Sequence, residues 1–457
     1  MFDLLITNGL VATHEGCFRS DVGVCGEVIA AVGDLGAAEA RQTIDAGGRY
    51  VLPGLIDPHV HIRHPFKGGY SMDDPYSATV SAAFGGNTSV IDFAIQWDQE
   101  KSLSETLEAR RQQFAGGAVI DYAFHACPTR PDTRAAEEMP RLIEEGTPSF
   151  KLYMTYSRQG RMSNDGVLYQ ALEQTARSGG MVGVHAENDA LCCYNDALFE
   201  EDGRTAPRYF PQARANLVEA EAVGRALHLN AYAGGRLYIF HLSARESLEL
   251  LRRARAAGQR VAAETCVHYL ALTDGCYSRA DGANFLCSPP LRSREDQSAL
   301  WEGIRRGDIS VVSSDHCGFG LAQKASGGGA FPATPNGLPG METRLPVMYT
   351  RGVLENRITL NQMVEVLCVN PAKRFGMFPR KGAVQPGADA DLVILDTERE
   401  VALSAAHLHS PVDWTPYAGM RLRGFAQTVI SRGRPIVKDG RLHAAPGRGR
   451  FIPRSIL

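Results

Sequence analysis

"LIDPHVHIRHP", residues 55–65, sets His59 and His61 one residue apart at the end of an apolar run. In a strand, side chains alternate between faces, so Asp57, His59, His61 and Arg63 would all point one way. The wider stretch "RYVLPGLIDPHVHI" is rich in Val, Ile and Leu, and its Pro and Gly suit a strand entrance. Two imidazoles on one face of a strand end can hold one metal ion. The same spacing recurs in "AHLHSP", at His407 and His409, with no apolar run before it. Spacing alone therefore decides nothing, and the rest of the chain has to.

Seven more short apolar runs follow: "TSVIDFAI" (88–95), "AVIDYAFHA" (118–126), "SFKLYMTY" (149–156), "MVGVHAEN" (181–188), "RLYIFHLS" (236–243), "RVAAETCVHYL" (260–270) and "DISVVSSDHC" (308–317). Between most of them lie segments such as "LYQALEQTARSGG" and "ARESLELLRRARAAGQR", with apolar residues at helical spacing and Gly at or near the end. Eight alternating units predict an α/β fold, a (β/α)8 TIM barrel over residues 53–381, with its active site at the C-terminal ends of the strands. The two ends of the chain differ from this middle. Residues 1–52 and 382–457 read as short strands separated by Gly, for example "VGVCGEVIAAVGD" and "GADADLVILD". Neither end can bury a core alone, which predicts one β-sandwich built from both. The Gly-rich "ASGGGAFPATPNGLPG" (325–340) reads as a long flexible loop.

The bulk numbers are those of a globular enzyme-sized chain: 457 residues, 44% hydrophobic, 22% charged. A net charge of −3 gives no footprint for nucleic acid or an anionic membrane surface. The N-terminal stretch lacks a basic region followed by a long apolar segment, so a cytoplasmic location is expected. Ten scattered cysteines contain no CxxC and read as buried, inert thiols.

The polar residues that break the apolar runs at their C-terminal ends share one destination. Strand one supplies His59 and His61, strand four Lys151, strand five His185, strand six His241 and strand eight Asp315. Singly, each has an ordinary reading: a hydrogen-bonded histidine, a lysine reaching solvent, an aspartate capping a turn. Jointly, four imidazoles, a carboxylate and an amine at one barrel mouth suit two Zn2+ or similar ions. Two such cations repel and need an anionic bridge. A neutral Lys151 amine can supply one by adding CO2 to become a carbamate, while a Schiff-base role is the competing reading for a lysine in such a place. A hydroxide bridging two metals attacks amide-like carbonyls, and Asp315 is placed to shuttle its proton to the leaving nitrogen.

Further stretches join these residues: "GLIDPHVH", "PFKGGYSMDD", "FKLYMTY", "VHAEN", "FHLS", "CSPPLR", "SSDHC", "PNGLPGMETRLPVMY" and "NPAKRFGMFPRKGAVQPGADADLVILD". On these motifs the chain resembles, nearly end to end, the hydantoinase and dihydropyrimidinase family of the amidohydrolase superfamily. The resemblance implies metal-dependent hydrolysis of a cyclic amide, with His59, His61, Lys151, His185, His241 and Asp315 as ligands and Lys151 carboxylated. It also implies that Tyr156 polarises the substrate carbonyl, that Ser288 and Asn336 grip the ring through main-chain groups, and that the chain assembles as a homotetramer or homodimer. Three positions depart from the pattern. Arg63 stands where an uncharged residue is usual, and allantoinases and dihydroorotases often carry an arginine there. "GLPGMET" leans toward allantoinases and L-selective hydantoinases, and "ETCVHYL" carries Val267 and His268 where Pro-Gln is usual, a change expected to affect only packing. Arg63 on the inward face would bind an anionic or strongly polar ring substituent; alternatively the strand ends at Ile62 and Arg63 turns toward Asp73 or Asp74. A catalytically silent scaffold relative is the alternative from outside the enzymes.

Overall fold

Strands buried on both faces need apolar side chains throughout, and this is what the eight central runs provide. In the computed structural model, which describes residues 1–130, 132 and 134–456, they become Leu55–Val60, Asn87–Ile95, Asp121–Cys127, Ser149–Tyr153, Met181–His185, Leu237–Ile239, Val261–Cys266 and Val311–Ser313. All eight pair in parallel, each with its neighbour in chain order. A parallel bridge from Val60 to His316, and the His61 N–H donating to the His316 carbonyl at 2.7 Å, close the sheet into a barrel. All residues of the second and third strands are buried. Polar groups at strand ends therefore stand out against a dry interior.

The helices between strands start and stop where their sequences direct. Ser102 and Glu105 form a reciprocal capping box at the head of Leu103–Ala115. Asp165–Ser178 ends at Gly179, whose φ of 85° is open to glycine at little cost. Among the described residues no helix is long and apolar enough to cross a membrane.

The terminal segments form one nine-stranded sheet wrapped about its own core, which includes Leu4, Ile6, Val22, Ile44, Leu392 and Ile430. Tyr50–Pro53 lies antiparallel to Leu392–Asp396, which joins the two ends of the chain. The first strand, Phe2–Ala12, pairs with Ala40–Asp45 along its first half and with Tyr50–Pro53 beyond Asn8, which adopts a φ of 57° at the switch. Buried charge fastens this sheet to the floor of the barrel. Lys381 donates to Asp121 on the third barrel strand and to Asp391 of the terminal segment, both at 2.7 Å, while Arg432 reaches Asp121 at 3.2 Å. Removing one partner of such a network leaves an uncompensated buried charge, at a cost of about 3–5 kcal/mol.

Candidate metal centre and active site

At the C-terminal ends of the barrel strands the chain leaves regular geometry in order to aim side chains. Of the eight non-glycine residues with positive φ among the described residues, Arg63, Tyr156, His241 and Asp315 all lie just past barrel strands. Left-handed backbone at bulky residues is costly and collects at functional sites. The result is a cluster. His59 Nε2 lies 3.2 Å from His61 Nε2, 3.0 Å from Lys151 Nζ and 2.9 Å from Asp315 Oδ1. His61 Nε2 lies 3.3 Å from the same Asp315 oxygen. Beside this group, the His185 and His241 rings stand with centroids 4.4 Å apart, and His241 is 5.5 Å from His59.

Two features show that these donors fit metal ions. His59 Nδ1 is engaged by Glu264, which leaves the Nε2 lone pair to face the cluster, the arrangement by which a carboxylate orients a ligating imidazole. His241 Nε2 is buried and has no hydrogen-bond partner among the described residues, an expense that a bound cation removes. Desolvation acts on the whole group. Burial pushes the His61 imidazole down to about 3, with Asp315 opposing, and lowers the Lys151 amine against the pull of Asp315 and Glu264. Burial also works to raise the Asp315 carboxyl, but His59 and His61 together hold it well below the usual carboxylate range. Neutral imidazoles and an ionised carboxylate are the forms that ligate, and His61 and Asp315 are already in them. At His59 burial is outweighed by the Asp315 and Glu264 charges, which raise the imidazole, so a bound cation must displace its proton.

These side chains open into a cavity of about 900 Å3 whose wall includes Lys151, Tyr156, His185, His241, Ser288 and Asn336. Tyr156, with a φ of 72°, stands 5.0 Å from His185, ring to ring. Burial, with the nearby Glu187 charge, raises its phenol well above the ordinary value, so it keeps its proton at neutral pH. Asn336 Nδ2 donates to Ser288 Oγ at 3.2 Å, which brings two loops together at the mouth.

Comparison with known proteins agrees with this geometry. The amidohydrolase family profile matches residues 50–435. A D-hydantoinase from Ralstonia pickettii is 41% identical over 99% of this chain and 99% of its own length. The chain belongs to the amidohydrolase family. Among solved structures, D-hydantoinase from a Bacillus sp. AR9 superposes on this amidohydrolase with a TM-score of 0.97 at 38% identity, covering 99% of both chains. A dihydropyrimidinase from Brevibacillus agri NCHU1002 gives 0.96 at 37% identity, over 99% of this chain and 98% of its own.

The amidohydrolase's supporting residues were harder to read from sequence. Glu264, fully buried on the seventh strand, engages His59 Nδ1, accepts the His241 N–H at 3.2 Å and the Tyr238 hydroxyl at 3.1 Å. Its one signal was an acid inside the apolar run "RVAAETC". Glu187, two residues past His185, holds that ring at 2.7 Å. His268, expected to touch only packing, instead reaches the cavity wall, because the short helix Val267–Ala271 follows the strand directly. Burial pushes its imidazole down to about 4.

The inward placement of Arg63 does not hold. The first barrel strand ends at Val60, and Arg63 adopts a φ of 50°, which breaks the alternation that carried the expectation. Its exposed guanidinium lies 5.0 Å from the Tyr70 ring centroid. The carboxylates named as alternative partners are otherwise engaged: Asp73 with His316 at 2.9 Å, Asp74 as the cap of Pro75–Phe84.

Proposed function

We propose that this chain is a binuclear metal-dependent cyclic amidohydrolase that opens the ring of a hydantoin, a dihydropyrimidine or a related cyclic imide or ureide. The observation that carries it is the convergence of His61, Lys151 and Asp315 on the buried His59, beside a cavity whose wall holds His61, Lys151, Asp315, His185, His241 and Tyr156. Zn2+ is the proposed ion, since imidazole and carboxylate donors suit it. His59, His61 and Asp315 would hold one cation, His185 and His241 the second, and Lys151 would bridge them as a carbamate. For the bridge, the Nζ lone pair adds to the carbon of CO2, forming an N–C bond and releasing one proton. Its support is chemical and geometric: Lys151 is 1% exposed and placed 3.0 Å from His59 Nε2, where two cations need an anion between them.

When bound, the two cations supply an ionised water at neutral pH and polarise the ring carbonyl. The remaining work falls to the chain. Asp315 accepts the nucleophile's proton and passes it to the ring nitrogen, so that water adds across the C–N bond and the ureide or amide nitrogen leaves neutral. Tyr156 keeps its hydroxyl proton and donates it as a hydrogen bond to the carbonyl oxygen as charge develops there. Ser288 and Asn336 hold the ring's polar edge through their main-chain groups. Hydantoin and dihydropyrimidine rings are preferred over allantoin and dihydroorotate because Arg63, the residue expected to favour anionic or strongly polar substituents, turns to Tyr70. A homotetramer or homodimer is the proposed assembly, from the family resemblance. A reducing compartment, the cytoplasm, is the proposed setting, supported by ten free thiols.

Assay against hydantoin, dihydrouracil, succinimide, allantoin and dihydroorotate tests this reading. Ring opening of hydantoin or dihydrouracil, abolished by a chelator and restored by zinc, is expected. Turnover of allantoin or dihydroorotate alone would reassign the substrate, and inactivity on all five by the metal-loaded protein would refute the hydrolase.

A further inference from the structure

Lys324 is the fully buried cation of the loop that follows the eighth strand, 0% exposed on the short helix Leu321–Ala325. Its Nζ donates to two main-chain carbonyls, Leu286 at 2.9 Å and Pro335 at 2.8 Å. These carbonyls are not arbitrary. Leu286 lies two residues before Ser288, and Pro335 immediately precedes Asn336. The Leu286 oxygen also accepts the Gly337 N–H at 2.9 Å, so one carbonyl is held by both the lysine and the opposite loop. The Cys317 N–H donates to Leu338 at 3.0 Å, which ties the same loop to the strand end that carries Asp315. Gly337, at φ 147°, allows this approach, since a Cβ there would come within 2.8 Å of the Cys317 Cβ.

Burying an ammonium is expensive, and an apolar side chain would fill the same volume without that cost. Burial pushes the Lys324 amine down to about 7. What an apolar residue could not do is satisfy two converging carbonyls. We propose that Lys324 is a positioning residue, whose two hydrogen bonds hold the main-chain segments of Ser288 and Asn336 at the spacing a cyclic amide ring requires. This rests on the cyclic amidohydrolase reading and adds to it the element that sets the width of the ring-binding cleft.

The test compares wild type, Lys324→Met and Lys324→Ala on hydantoin and dihydrouracil, with metal content measured for each. The KM of both variants should rise about tenfold or more, while kcat changes less than about threefold, the pattern of lost ring binding rather than lost chemistry. Metal content should match wild type. Propylammonium should partly restore the KM of Lys324→Ala, and tetramethylammonium, which has no N–H to donate, should not. An unchanged KM with only a lower melting temperature would overturn the inference and leave Lys324 as an anchor of the fold. So would metal loss, or failure of both variants to fold. A metal-loaded wild type that opens none of the rings would overturn the amidohydrolase reading, and this inference with it.

Discussion

The chain contains the His-x-His pattern twice, and the two copies have opposite fates. His59 lies in a buried strand and His61 just past its end, where they meet Lys151 and Asp315 at the barrel mouth. His407 and His409 lie outside any strand, on a segment that leaves them accessible to ordinary partners. His407 Nδ1 contacts the Ser404 hydroxyl at 2.9 Å, closing a turn. His409 stacks on Phe84 and pairs with Glu342 at 2.7 Å. In the first pair the ring nitrogens face one another at 3.2 Å, with a carboxylate orienting one ring from behind. In the second, the two imidazoles go separate ways, His407 to Ser404 in its own turn and His409 to Phe84 and Glu342. Spacing sets which side chains share a face; the surrounding fold decides whether anything else arrives there.

That contrast can be broken most forcefully at Lys151. Lys151→Ala should lose bound metal, and turnover should fall below about one-thousandth of wild type, beyond the roughly 10²–10³ cost of a single oxyanion donor. Small carboxylates added in solution should recover part of the activity by standing in for the missing bridge. Tyr156→Phe should lower kcat by roughly 10²–10³ with metal content intact, as measured by elemental analysis alongside steady-state kinetics. Near-normal turnover would make Tyr156 a wall residue only.

How much of this could be read from sequence follows from the same physics. The eight strand runs were legible because parallel strands buried on both faces need continuous apolar sequence. The six proposed ligands stood out because each is a polar break in such a run; five of them line one cavity, and His59 lies buried behind it against Lys151 and Asp315. Of the two readings of Arg63, the inward one fails because alternation holds only while the backbone stays extended; the strand ends even before Ile62, and Arg63 turns aside to Tyr70 rather than to Asp73 or Asp74. Glu264 and Lys324 were not singled out because a lone buried charge has no period; its meaning lies in partners distant in sequence. The segment 325–340 read as flexible from its glycines, yet buried Phe331 and the Lys324 hydrogen bonds pin it down.

Two smaller effects sharpen the comparison further. Glu264→Gln keeps the shape but weakens the orienting pair behind His59, so zinc affinity should fall about 10–100-fold in competition with a chelator. No change in affinity would show that the His59 ring is held by packing alone. At the other His-x-His pair, replacing both His407 and His409 by Gln should leave zinc affinity unchanged. Breaking either of these exposed pairings should alter the unfolding free energy, followed by denaturant titration, by only about 0.5 kcal/mol.

The most direct measurement is metal stoichiometry combined with anomalous diffraction at the zinc edge on the active enzyme. Two equivalents per chain are predicted, one peak among His59, His61 and Asp315 and one beside His185 and His241, with carbamate density on Lys151 Nζ between them. A single equivalent, a bare amine on Lys151 in the active zinc-loaded enzyme, or zinc at His407 and His409 instead would contradict the account.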